Sequence, residues 1–127
     1  MRKLIYSMYI HIPDHMIEIE HSDCEITKDK TRETTNKMLQ NYHYLKKKQQ
    51  EYAEKCGADY ILYEWDDDYE WFRKEFFISK EYITMYNIIN FYKIFLLYQH
   101  WDYDKILYLD FDVLPTTNKN VFDELDF

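Results

Sequence analysis

Lys105-Ile106-Leu107-Tyr108-Leu109-Asp110-Phe111-Asp112-Val113-Leu114 decides how the rest of the chain is read. A short apolar run of this length, rich in β-prone residues, predicts a buried strand over Lys105–Leu109. The run passes directly into Asp110-Phe111-Asp112 and turns away at Pro115-Thr116-Thr117. Side chains alternate along an extended chain, so Asp110 and Asp112 are expected on one side and Phe111 on the other. Two carboxylates at the carboxyl end of a buried strand occupy the edge at which open α/β sheets bind ligands. Hard oxygen donors of this kind suit Mg²⁺ or Mn²⁺, with water and a substrate phosphate completing the shell. The competing reading is that Asp simply begins a turn. The apolar residues on both sides favour a cation, because buried negative charge is costly without a partner.

Working outward, two further strands precede this one. Lys3–Ile10 is a mostly apolar run stopping before Pro13, and Asp59-Tyr60-Ile61-Leu62-Tyr63 lies within a second run over Ala58–Glu64. Between them, Thr31 to Cys56 reads as a helix. Met38, Tyr42, Leu45, Tyr52 and Cys56 share one face, Lys and Gln are expected on the other, and Gly57 supplies a C-terminal stop. A second helix is expected over about Ser79–His100, apolar around most of its circumference as a helix against a sheet would be. Asp66-Asp67-Asp68 reads as a solvated loop, since adjacent loop residues cannot all point at one ion. Strand, helix, strand, helix, strand predicts one α/β domain over residues 1–127. Its expected form is a three-layer, Rossmann-like arrangement with a mainly parallel sheet.

The bulk properties exclude several classes. Sixteen basic against twenty-four acidic residues, a net charge of −8, disfavour nucleic acid as a partner. The run Leu45-Lys46-Lys47-Lys48-Gln49-Gln50 reads as the solvated face of a helix. A single Gly and two Pro leave no glycine-rich phosphate loop. Cys24 and Cys56 are too few for a disulfide framework and are not spaced as a zinc knuckle, so a reduced, cytoplasmic setting is expected. The opening Met1–Ile10 is basic and then apolar, but it lacks a small-residue cleavage site and reads as a strand rather than a signal peptide. No membrane span is expected. An aromatic content of 20%, including 14 Tyr and 8 Phe, argues for a folded core.

Lys93 projects from the apolar helix on the face shared by Tyr86, Ile89, Asn90 and Leu97. Periodicity alone favours a stem that packs while the ammonium reaches water.

Three stretches together resemble the central segment of family 8 glycosyltransferases, the family of glycogenin and the bacterial lipopolysaccharide galactosyltransferases. They are Asn90-Phe91-Tyr92-Lys93-Ile94-Phe95-Leu96-Leu97, then Tyr103 to Leu114, then Val121-Phe122-Asp123-Glu124-Leu125-Asp126-Phe127. The resemblance covers about residues 80–127 by motif, and the earlier residues by element order alone. It implies a GT-A nucleotide-sugar-binding half, a UDP-sugar donor, and a Mn²⁺ or Mg²⁺ ion held by Asp110 and Asp112. It also turns the reading of Lys93 toward the donor phosphates, places Phe111 near the ribose or sugar through its backbone, and sets Ser7, Met8 and Tyr9 against uracil and ribose. Met8 and Tyr9 depart from the small or polar residues usual there. The implied reaction moves a glycosyl group to an acceptor hydroxyl that the sequence does not specify. Only 127 − 112 = 15 residues follow Asp112, whereas family members continue into an acceptor-binding half with a late histidine. The resemblance therefore implies a donor-binding portion, with a second chain or a homo-oligomer as one way to complete the site.

Two other readings stand beside it. A strand ending in Asp-x-Asp also presents the nucleophile and acid/base pair of haloacid-dehalogenase-type phosphatases. Val113-Leu114 and the late position of the motif fit that pattern poorly. The third reading is a sugar-nucleotide-binding or assembly module without catalysis.

Overall fold

The computed structural model describes residues 1–15, 25–77 and 85–124, with no side-chain description for 25–28, 77, 85 and 86. Three strands, β1 (Lys3–Tyr9), β2 (Asp59–Glu64) and β3 (Lys105–Tyr108), form one sheet in the order β2-β1-β3. Both pairings are parallel, with Ile5 opposite Tyr60 on one side and Leu107 on the other. This is an α/β fold with a parallel sheet, as the alternation of strand and helix predicts. β1 is central, and Leu4 to Tyr9 are all buried. That explains why its sequence is a nearly unbroken apolar run rather than an alternating one.

Helices α1 (Glu25–Gln40) and α2 (Tyr42–Lys55) connect β1 to β2, and α3 (Asp67–Phe77) and α4 (Met85–Gln99) connect β2 to β3. A short α5 (Val121–Glu124) follows. Because β2 and β3 flank β1 on opposite sides, right-handed crossovers send the two connections to opposite faces. The packing agrees. Leu4, Tyr6 and Met8 meet Tyr69 and Phe72 of α3 and Ile88, Tyr92 and Leu96 of α4. Ile5, on the alternate side, packs with Tyr52, Ala53 and Cys56 at the end of α2 and with Phe122 of α5.

The expected helix over Thr31–Cys56 is two helices. Asn41, at φ −102° and ψ 7°, separates them, and its side-chain amide donates to the Lys37 carbonyl at 2.8 Å. A short polar side chain that engages the preceding turn in this way offers the backbone an alternative to continuing straight. The stop at Gly57 is as expected. Its φ of 66° closes a Schellman motif, in which the Ala58 amide donates to Ala53 O at 2.9 Å and the Gly57 amide to Glu54 O at 3.1 Å.

Asp66-Asp67-Asp68 is not a loop but the start of α3. Asp66 Oδ1 accepts from the Tyr69 amide at 2.9 Å, while Asp67 and Asp68 lie in the first turn. Carboxylates there satisfy orphan amides and complement the helix dipole. Residues 79–84 of the expected second helix, Cys24 and Leu125-Asp126-Phe127 lie outside the described residues; the remainder of that helix is α4. Among the described residues no helix is long and apolar enough to cross a membrane.

Candidate functional site

A strand order of β2-β1-β3 reverses direction between β1 and β3, and open parallel sheets bind ligands in the crevice outside the carboxyl ends of such neighbours. A cleft of about 440 Å³ opens at this point. Met8 to Ile12 enter it from the end of β1, Tyr108, Asp110, Phe111 and Asp112 from the end of β3, and Ile89 and Asn90 from α4. The outer wall comes from α1 and carries Lys30, Thr31, Thr34, Thr35 and Met38. Two aromatic lining residues, Tyr9 and Phe111, pack with each other and with Tyr42, ring centroids 5.2 to 5.6 Å apart, inside the range for favourable offset or tilted pairs. Phe111 is buried and also touches the group around Leu45.

Regular β3 ends at Tyr108, and Asp110 begins a turn in which the Val113 amide donates to its carbonyl at 2.9 Å. Within this turn Phe111 packs inward and is 2% exposed, while the flanking Asp110 and Asp112 are exposed and both line the cleft. Contrary to the expectation from sequence, neither carboxylate is buried against apolar material, so desolvation does not require a counter-ion. Position and donor chemistry, rather than burial, make the pair suited to a cation. Among the described residues neither carboxylate takes part in an ion pair, and no group of three His, Cys, Asp or Glu side chains is placed to hold a metal. Two hard oxygen ligands on an open edge fit an ion such as Mg²⁺ or Mn²⁺ that keeps several waters and is shared with a phosphate. They do not fit a closed structural site.

The loop bearing the two carboxylates is fixed from behind by Gln49. This α2 side chain is fully buried. Its Nε2 lies 3.1 Å from Asp110 O, 3.3 Å from Phe111 O and 3.0 Å from Val113 O, and its Oε1 accepts from the Tyr60 hydroxyl at 2.8 Å. The sequence pattern alone assigns the Gln residues of this helix outward with the lysines. Gln49 instead belongs to the inner face, four residues after Leu45 and three before Tyr52, and that spacing was the signal for it.

Of the other expected site residues, Met8 and Tyr9 line the cleft and Ser7 does not. Ser7 is fully buried on the side of β1 that carries Ile5, and its hydroxyl has no hydrogen-bond partner. Burial, and to a lesser degree the Glu64 carboxylate, push the Tyr9 hydroxyl above its ordinary value. It lies 3.3 Å from Nδ1 of His11, a cleft residue that sequence reasoning did not single out. Lys93 does not line the cleft. Its ammonium lies 4.8 Å from the centroid of the Tyr108 ring, and that ring belongs to a residue that does line the cleft. Burial first, and then the Asp110 carboxylate, raise the Tyr108 hydroxyl well above the usual phenol range, so the ring stays neutral beneath the cation.

No protein-family model, curated protein or solved structure matches this chain.

Proposed function

We propose that the cleft between β1 and β3 binds a nucleoside diphosphate sugar together with a divalent cation, and that the chain carries the donor-binding site of a metal-dependent glycosyltransferase. The observation that supports this is the convergence of Asp110 and Asp112 on a cleft at the strand-order reversal, where parallel α/β sheets receive nucleotides. The sequence resemblance supplies the sugar and the uridine; the cleft supports the diphosphate and the cation. A divalent ion at this position would supply Lewis acidity against the charge that builds on a departing diphosphate. Asp110 and Asp112 would orient the diphosphate through that ion. Lys93, against the Tyr108 ring, would add positive potential near the cleft. Met8, Tyr9 and the backbone at Phe111 would border the nucleoside and the sugar. A chain lending only two protein ligands would bind metal and nucleotide interdependently.

Calorimetric titration of UDP with and without Mn²⁺, on the wild type and on Asp112→Ala, tests the reading. UDP binding should require Mn²⁺ and should weaken at least about 10-fold in the variant, the scale on which disturbed metal coordination acts. Failure of the wild type to bind UDP with Mn²⁺ present overturns it, and phosphatase turnover in the same preparation would point to the haloacid-dehalogenase-type chemistry instead. Binding of UDP without hydrolysis or transfer of any UDP-sugar would leave a donor-binding module.

A further inference from the structure

We infer that Gln49 is a positioning residue, whose amide sets the conformation of the Asp110–Val113 loop and thereby the approach of the two carboxylates to a shared cation. The inference rests on the reading of the cleft as a metal-assisted nucleotide site.

The geometry leaves the amide one orientation. Backbone carbonyls only accept, so the face turned to Asp110, Phe111 and Val113 must be the NH₂ group. The opposite contact is with Tyr60, whose hydroxyl can donate to Oε1. Burial pushes that hydroxyl far above the ordinary phenol range, which keeps it protonated and able to donate. The result is a relay from β2 through α2 to the loop after β3. Two amide hydrogens serve three carbonyls, an arrangement that draws the three carbonyls toward one point. Because Asp110 O and Val113 O both turn to Gln49 while Phe111 packs inward, the side chains of Asp110 and Asp112 are left on the open side. A merely space-filling residue at position 49 would not bind these carbonyls, and the Phe111 carbonyl, whose contact with Gln49 is buried, would lose that donor and favour another loop conformation.

The test compares Gln49→Met, which keeps length and bulk but loses the amide, with Tyr60→Phe, which loses only the outer donor. Ile88→Val on the opposite face of the sheet serves as a control for general loss of stability. Free Mn²⁺ is counted by its electron paramagnetic resonance signal in the presence of UDP, and exchange of the Val113 amide is followed by nuclear magnetic resonance without metal. Gln49→Met should lower Mn²⁺ affinity about 10- to 100-fold, as loss of a group orienting metal ligands does, and should accelerate Val113 exchange. Tyr60→Phe should do both more weakly, and Ile88→Val neither. Unchanged affinity and unchanged Val113 exchange in a folded Gln49→Met protein overturn the inference. The same holds if Ile88→Val matches the Gln49→Met effect. If the wild type binds no Mn²⁺, the metal reading of the cleft fails and the positioning role for a cation fails with it; Val113 exchange then still reports whether Gln49 holds the loop.

Discussion

Ser7 and Tyr9 stand two residues apart on the same side of β1, yet they differ in what they can do for a ligand. Tyr9 is near the end of the strand and reaches the cleft; Ser7 is one step deeper, closed in, and leaves its hydroxyl unpaired. A buried hydroxyl that gains no hydrogen bond carries a desolvation cost with no return. Ser7→Ala should therefore leave nucleotide affinity unchanged, and should leave stability unchanged or raise it by up to about 1 kcal/mol. Urea unfolding of the variant beside UDP titration checks both halves. A clear loss of UDP affinity would mean that Ser7 reaches the ligand in a way its burial denies. The sequence placed Ser7, Met8 and Tyr9 at the ligand as a group because a resemblance marks the end of a strand, not the depth of each side chain.

Strands were the elements the sequence stated most clearly. β1 and β3 are short apolar runs with no helical period, and their observed limits differ from the expected ones by a single residue at the C-terminal end. Gly57 marked its helix end because a left-handed backbone there suits a residue without a side chain. α3 was hidden for the opposite reason. Its first turn is a run of like charge, which as composition resembles solvated loop, and only the position of Asp66 three residues ahead of the Tyr69 amide reveals a cap. Gln49 was hidden likewise: a polar residue on an apolar stripe is assigned outward unless its partners, carbonyls more than sixty residues away in sequence, are known. The cap itself is testable. Asp66→Ala removes the acceptor for the Tyr69 amide and should cost about 1 kcal/mol, within the usual range for a lost helix cap, whereas Asp66→Asn should retain most of the stability. Equal losses in the two variants, by urea or thermal unfolding, would place the effect in charge rather than in capping.

At the scale of the whole molecule, a group of rings ties three separate parts of the chain together. His100, just beyond α4, meets the Tyr63 hydroxyl of β2 through Nε2. It also packs near Tyr6 of β1 and Tyr103 ahead of β3. Burial lowers the His100 pKa from its ordinary 6.5, and the nearby Asp102 carboxylate only partly opposes this. The folded state therefore takes up this proton less readily than the unfolded chain. Between the ordinary histidine value and the lower folded one, the unfolded state binds more protons, so stability rises with pH in that window. The contribution of His100 is fully present above about pH 7 and is lost as pH falls below 6.5. A separate loss begins lower, where Glu70 and Asp102, held below the carboxylate range mainly by Arg73 and Arg2 respectively, become protonated. Urea midpoints measured from pH 7.5 to 5.5 should accordingly fall, and His100→Gln should flatten that slope while leaving the steeper fall near pH 4 in place. A wild-type slope that survives the substitution would assign the dependence to another group and would remove His100 from the contacts that hold α4 to the sheet in a pH-sensitive way.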